Sequence, residues 1–408
     1  MVLGQEKMQI AIDGRLLHRT VSGTERYMRE LIGGMTLYDR GRSWIFVTAD
    51  ARYEAKNEFK NIRLLSRITV EDKIDVYHRT FQAQNYDDIL ELLVPKRSII
   101  TIPDLIHCKL PNLFDGERAR KRYCHLMKYA LQVTDRIIAM SQHGKRDIVE
   151  SFSVDEGKVK VISLGVDSRK FKKIDSREVA RFKQRFDLPE KYILFIGADY
   201  PHKNLSNLLE AFRFEALAGH TLVLTGSNHY PRGQKRVRED LRKSGIRVKD
   251  LGYVEDAFLP YLYGGADLFV FPSLQEGFGL PVLEAFACEV PVVCSKATSL
   301  PEVAGEAALM VDATKPGEIA QAIGAVLGNS DVRRKLVDRG KERVKLFQWE
   351  DCIRKTYALY QETLEKPGSM KSKRSRAWKA LLLREKGKDA REEILRTVRS
   401  FFRNRLGI

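Results

Sequence analysis

No stretch of the 408 residues approaches the roughly 18 consecutive apolar positions that a membrane-spanning helix needs. Gln5, Glu6 and Lys7 stand where a secretory signal would have its apolar run, so the chain is expected in the cytoplasm. Five cysteines (Cys108, Cys124, Cys288, Cys294, Cys352) are an odd number without Cys-x-x-Cys spacing, which argues against a disulfide framework or zinc site; they read as buried thiols. No aspartate is followed two positions later by another, and no His/Cys cluster carries metal spacing, so no metal is expected. Neither a Gly-x4-Gly-Lys-Ser/Thr loop nor a Gly-x-Gly-x-x-Gly after the first strand is present, which argues against ATPases and dinucleotide oxidoreductases.

What is present is enough apolar material for two domains. Hydrophobic residues make up 43% of the chain, with 19 Phe, 15 Tyr and 3 Trp, and disorder throughout is excluded. The net charge of +17 is concentrated at one end, since residues 366–408 hold 14 Lys and Arg against 4 Asp and Glu. A basic body shaped for nucleic acid is therefore not indicated.

Short β-rich runs (Met8-Gln-Ile-Ala-Ile12, Trp44-Ile-Phe-Val-Thr48, Ser98-Ile-Ile-Thr-Ile102, Arg136-Ile-Ile-Ala-Met140) alternate with helical stretches at 24–37 and 117–133. The pattern restarts with Tyr192-Ile-Leu-Phe-Ile196, Thr221-Leu-Val-Leu-Thr225, Leu268-Phe-Val-Phe271 and Pro291-Val-Val-Cys294, with helices predicted near 204–217, 232–244 and 281–288. Two doubly wound, Rossmann-like α/β domains are expected, at 1–166 and 191–346. Between them 167–190 reads as a linker, and ligands are expected in a cleft at the carboxyl ends of the strands.

The densest chemical signal is Pro272-Ser-Leu-Gln-Glu276-Gly-Phe-Gly-Leu-Pro281-Val-Leu-Glu284. Gly277 and Gly279 permit a tight loop before a helix, and Pro281 suits the first helical position. A carboxylate beside a diphosphate repels it, so Glu276 and Glu284 make better sense as acceptors for sugar hydroxyls. The plainer alternative is a simple turn, with Glu284 favouring the first turn of its helix. In Gly197-Ala-Asp-Tyr-Pro-His202-Lys203-Asn204, a lysine at a strand-to-helix junction can balance charge growing on a departing diphosphate, or can simply be solvated.

These strings resemble the family-four retaining, nucleotide-sugar-dependent glycosyltransferases of the GT-B fold, whose hallmark is two glutamates spaced as Glu276 and Glu284 are. The resemblance runs from Ile10 to about Leu364 and includes Ser299-Leu-Pro-Glu302-Val-Ala-Gly305. It implies that Glu276 and the loop Gly277, Phe278, Gly279 and Leu280 contact the donor sugar and its phosphate. Glu284 then holds the ribose, and Lys203 the leaving diphosphate. Relatives often carry arginine where Ala198 stands, which leaves a second phosphate cation unassigned.

In the first domain, Asp13-Gly-Arg15 and Ser22-Gly23-Thr24 resemble the family's loop after the opening strand, with Gly23 approaching donor phosphate or acceptor and Ser22 and Thr24 offering hydroxyls. His78 falls where relatives have a cleft-facing loop residue, which makes it a candidate acceptor contact. Pro103-Asp104 replaces a His-Asp motif, so Asp104 is the candidate catalytic polar group and His107 a candidate substitute for the histidine.

The resemblance also implies a crossover helix at 347–365. Beyond it, Trp378, Leu381, Leu382, Ile394, Val398, Phe401 and Phe402 fall at helical spacing among Lys and Arg. This basic amphipathic tail suits an anionic membrane surface, a partner, or the protein's own body.

The expected function is transfer of a hexose, mannose from GDP-mannose, to a saccharide or lipid-linked acceptor with retention, without cofactor, at the inner face of the cell membrane. Alternatives are a UDP-sugar-dependent transferase or sugar-nucleotide epimerase, and a silent sugar-nucleotide-binding or membrane assembly partner, which Pro103 keeps open.

Overall fold

The computed structural model describes residues 8–17, 23–48, 62–110, 116–198, 200–217, 219–226 and 245–365. Ser22, the helix anticipated at 232–244 and the basic tail lie outside the described residues. The chain divides into two compact units, Met1–Ser163 with Glu350–Ile408, and Leu164–Trp349.

The first unit is built on a seven-stranded sheet comprising β1 (Ile10–Asp13), β2 (Trp44–Val47), β3 (Ile62–Leu65), β4 (Val76–Arg79), β5 (Arg97–Ile102), β6 (Arg136–Ala139) and β7 (Val159–Val161). Its order is β3-β2-β1-β4-β5-β6-β7, and every pair is parallel, for example Ile12 beside His78 and His78 beside Ile99. The crossover helices are α1 (Gly23–Tyr38), α2 (Tyr86–Glu91), α3 (Ile106–Lys109), α4 (Glu117–Val133) and α5 (Gln142–Phe152). They cover the sheet, so strands such as β1, β2 and β6 are buried at every position, which is why they read as near-continuous apolar runs. Local signals set the helix starts. Ser141 Oγ accepts the Gly144 amide at 3.0 Å before α5, and Asn85 and Asp88 form a reciprocal capping box on α2.

The C-terminal helix, Trp349–Glu365, belongs to this unit from Glu350 onward. A β-carbon on Gly34 of α1 would lie 1.8 Å from Ile353 Cδ1, so glycine is what lets the two helices close. Tyr357 Oη bonds Asp39 and Arg42 at 2.9 Å each, and Arg97 Nε donates to the Thr363 carbonyl at 3.0 Å. His78, expected on a loop, is instead the third residue of β4 and wholly buried beneath this helix.

The second unit holds six parallel strands: β8 (Tyr192–Ile196), β9 (Thr221–Thr225), β10 (Val248–Asp250), β11 (Leu268–Phe271), β12 (Val292–Ser295) and β13 (Ala308–Val311). Their order is β10-β9-β8-β11-β12-β13. The helices are α6 (Ser176–Arg185), α7 (Leu205–Ala211), α8 (Leu259–Gly264), α9 (Leu280–Ala287), α10 (Leu300–Ala304), α11 (Pro316–Gly328) and α12 (Ser330–Val344). Leu205, Leu208 and Leu209 of α7 pack with Ile319 and Ile323 of α11 on the apolar faces of β8, β9 and β11.

Residues 167–190, read as a linker, are not a free connection. They contain α6, whose Phe182 stacks on Tyr261 at 5.2 Å and meets Phe186 and Phe258, so aromatic burial ties the segment to this unit. The helix predicted near 204–217 ends at Ala211 and passes into turns.

Candidate active site

Chain connections leave β8 toward β9 on one side and β11 toward β12 on the other, so the carboxyl ends of β8 and β11 form the second sheet's topological switch point. Lys203 lies on the loop after β8 and Glu276 on the loop after β11. The sequence separates them by 73 positions, and the fold brings Lys203 Nζ to 2.6 Å from Glu276 Oε1. Both side chains are mostly buried, and the ammonium also sits 5.2 Å from the Phe271 ring centre.

Bonds made by Asn204, Leu274, Thr298 and Ser299 set this pair. Asn204 adopts a left-handed conformation (φ 60°) and sends its buried amide to the carbonyls of Pro272 and Ala313 at 3.0 and 2.6 Å, clamping one loop to the next. The Leu274 amide donates to the His202 carbonyl at 2.7 Å, which joins the same two loops through the backbone. Thr298 Oγ1 accepts the Glu276 amide at 3.1 Å, and Ser299 Oγ donates to the Glu276 and Phe278 carbonyls at 3.1 and 2.8 Å.

The loop reaches α9 through Gly279, whose φ of +117° is a left-handed conformation that a side chain would strain. Leu280 is the first helical residue and Pro281 the second, one place later than expected. Phe278 packs in the core of this unit. It is buried and meets Phe347 edge-on at 5.8 Å, and Gly279 and Leu280 are likewise buried.

Glu284 differs from its expected place too. It lies in the second turn of α9, is 2% exposed, and accepts the Tyr263 hydroxyl at Oε2 (2.9 Å). A helix-start role is thereby excluded, and the carboxylate is held by a tyrosine from α8 that the sequence reading did not single out.

In the first unit, Gly23 is exposed at the start of α1 and Thr24 half-buried beside it. Asp104 follows β5, with Oδ1 accepting the Ile106 amide at 3.0 Å. His107 is exposed on α3, its ring 5.7 Å from that of Tyr123. His78 is not an acceptor contact. Nδ1 is 2.7 Å from Tyr360 Oη and Nε2 2.8 Å from Thr101 Oγ1, and burial pushes its pKa down to about 3 despite the opposing charge of Asp13. It is a neutral core histidine that fastens the C-terminal helix to the sheet.

A family model described as glycosyl transferases group 1 matches residues 176–343, which span Lys203, Glu276 and Glu284. The O-antigen chain mannosyltransferase B of Escherichia coli is 33% identical over 272 residues, covering 65% of this chain and 70% of that protein. This chain belongs to the group 1 glycosyltransferases. An MMP alpha-(1->4)-mannosyltransferase of Mycolicibacterium hassiacum is 28% identical over 247 residues, 59% of this chain and 57% of that protein. Among solved structures, sucrose-phosphate synthase from Thermosynechococcus elongatus superposes with a TM-score of 0.70 at 20% identity, covering 87% of this chain and 99% of that one. The two parallel-sheet units of this glycosyltransferase are thus those of the GT-B fold. Among its described residues no helix is long and apolar enough to cross a membrane.

Proposed function

We propose that this glycosyltransferase transfers mannose from GDP-mannose to a hydroxyl acceptor, with retention at the anomeric carbon and without a metal ion, in the assembly of a surface polysaccharide or glycolipid. The observation that carries the reading is the Lys203–Glu276 pair at the switch point of the second sheet. An ammonium has three N–H donors and a carboxylate about four acceptor positions, so their mutual bond leaves both with capacity for a ligand. Lys203 balances the diphosphate, Glu276 accepts hydroxyls of the donor sugar, and the backbone of Gly277–Leu280 contacts sugar and phosphate at the amino end of α9. Glu284, oriented by Tyr263, accepts ribose hydroxyls. A lysine supplies the positive charge that a divalent ion would otherwise bring to the leaving group. Mannose as the sugar rests on the two mannosyltransferase relatives.

Acceptor recognition belongs to the carboxyl edge of the first sheet, where Gly23, Thr24 and Asp104 lie, with Asp104 as its polar contributor. The basic tail brings the enzyme to an anionic lipid surface at the cytoplasmic face. Incubation of the full chain with GDP-mannose, UDP-glucose or ADP-glucose and methyl α-mannoside, with and without EDTA, tests the reading by mass and NMR coupling constants of the product. An α-linked mannoside formed from GDP-mannose in EDTA is expected. An inverted product or strict dependence on a divalent ion overturns the mechanism, and transfer from UDP-glucose alone overturns the donor.

A further inference from the structure

A network of buried charge lies at the carboxyl edge of the first sheet, in the other unit from Lys203 and Glu276. Asp13, the last residue of β1, is wholly buried and accepts from Arg15 Nε at 3.0 Å, Arg15 Nη2 at 2.6 Å, Tyr77 Oη at 2.8 Å and Arg79 Nη1 at 3.1 Å. Burial alone would raise its pKa, but the guanidinium groups of Arg79 and Arg15 override that and hold it below the usual carboxylate value. Arg79 is itself 1% exposed, with Nη2 at 2.8 Å from Asp88 and its guanidinium 4.3 Å above the Phe81 ring. Arg15 Nη2 reaches Glu91 at 2.6 Å.

The network continues along the edge. Thr80 Oγ1 donates to the Asp13 carbonyl at 2.6 Å, joining the end of β1 to that of β4. Arg79 Nη2 donates to the Gln82 carbonyl at 3.3 Å, and Gln82 Nε2 donates to the Asp104 carbonyl at 3.0 Å, joining β4 to the loop after β5. Asp104 Oδ1 then accepts the Ile106 amide. An unbroken series of polar contacts therefore spans the ends of β1, β4 and β5, which are adjacent in the sheet around its switch point, between β1 and β4.

Burying so many ionisable groups costs desolvation that an apolar cluster of equal volume avoids, so stability alone does not account for the network. What a planar guanidinium adds is fixed direction. Arg79 holds two carboxylates and a carbonyl at set angles, which a lysine cannot reproduce.

We propose that Arg79 and Gln82 are positioning residues for the acceptor, acting through Asp104. They lock the loops after β1, β4 and β5 into one frame, so that Asp104 meets the acceptor hydroxyl in a single orientation. The inference rests on the reading that this edge is the acceptor side.

The test uses the full chain with Gln82→Leu and the isosteric Gln82→Glu, which lacks the N–H donor. Hydrogen exchange reads the frame directly. The Ile106 amide is expected to exchange about 10-fold faster in both variants while amides within β4 and β5 keep their protection. With GDP-mannose and methyl α-mannoside, kcat/KM for the acceptor is expected to fall about 10-fold, with GDP affinity and acceptor-free hydrolysis of GDP-mannose unchanged. Arg79→Lys is expected to shift both readouts the same way. Wild-type exchange at Ile106 in the folded Gln82 variants overturns the proposal, as does a parallel loss of donor hydrolysis and melting temperature. Failure of the acceptor-side reading looks different: Asp104→Asn then leaves transfer intact while the exchange result at Ile106 still stands.

Discussion

At the scale of single residues, the proposed donor site rests on charges already bonded within the protein, Lys203 to Glu276 and Glu284 to Tyr263. Glu284 is nearly inaccessible and tied to Tyr263, so its substitution acts on affinity through a group whose direction is preset. Glu284→Ala is expected to weaken GDP binding by about 1.5 to 3 kcal/mol, the range for a hydrogen bond to a charged group, and Tyr263→Phe by less, since the carboxylate remains. Calorimetric titration of the folded variants checks this, and undiminished GDP affinity in Glu284→Ala removes the ribose assignment.

Lys203→Ala is expected to act mainly on turnover. The charge it offsets grows toward the transition state, so a loss on the order of 100-fold in kcat with a smaller change in donor affinity is expected. The substitution also leaves Glu276 without its ion-pair partner in a mostly buried position. Thermal melts of Lys203→Ala and the Lys203→Ala/Glu276→Gln double variant separate that structural cost from the kinetic one. Wild-type turnover in Lys203→Ala defeats the proposed role.

At the scale of elements, the C-terminal helix is held to the first unit by groups that include a titratable one. His78 has a folded pKa of about 3 against an unfolded value of 6.5, so the unfolded chain binds the extra proton between these limits. Its contribution to stability is complete above about pH 6.5 and declines as pH falls toward 3, with a limiting slope of about 1.4 kcal/mol per pH unit. His78→Gln is therefore expected to flatten the pH dependence, so that the stability lost between pH 7 and pH 5 is smaller than in the wild type by about 2 kcal/mol. Denaturant melts at the two pH values measure this, and identical losses in both proteins exclude His78 as the source. Gly34 and Ile353 show the same docking by shape, because close approach of two helices needs a missing β-carbon as much as a hydrogen bond.

At the scale of the whole molecule, charge is divided between a body that carries the proposed donor site and a C-terminal segment with 14 basic and 4 acidic residues. Truncation after Glu365 keeps every described residue of the C-terminal helix. It is expected to preserve transfer to methyl α-mannoside while reducing binding to vesicles containing anionic lipid. Binding of the intact chain is expected to weaken as salt shortens the Debye length to about 8 Å and below, leaving a residual part carried by apolar side chains such as Trp378, Phe401 and Phe402. Vesicle sedimentation across a salt series tests both, and equal binding by the truncated chain refutes the assignment.

Repetition and spacing along the chain determined the two parallel sheets and the strings around Lys203 and Glu276. Most buried parallel strands are apolar along their length, and a loop turning sharply into a helix favours residues such as Gly279 and Pro281. Those constraints are local and survive in one dimension. Short or less apolar strands did not stand out: β3, β7 and β10 are three or four residues long and only partly buried, and β4 carries His78 and Arg79 in place of an apolar run. Only the tertiary structure decided that His78 is core, that Phe278 packs edge-on against Phe347, that α6 is part of a unit and not a linker, and that Gln82 reaches Asp104. Each depends on a partner distant in sequence, as Tyr360, Phe347, Tyr261 and Asp104 are, and burial or pairing with such a residue leaves no periodic mark on the chain.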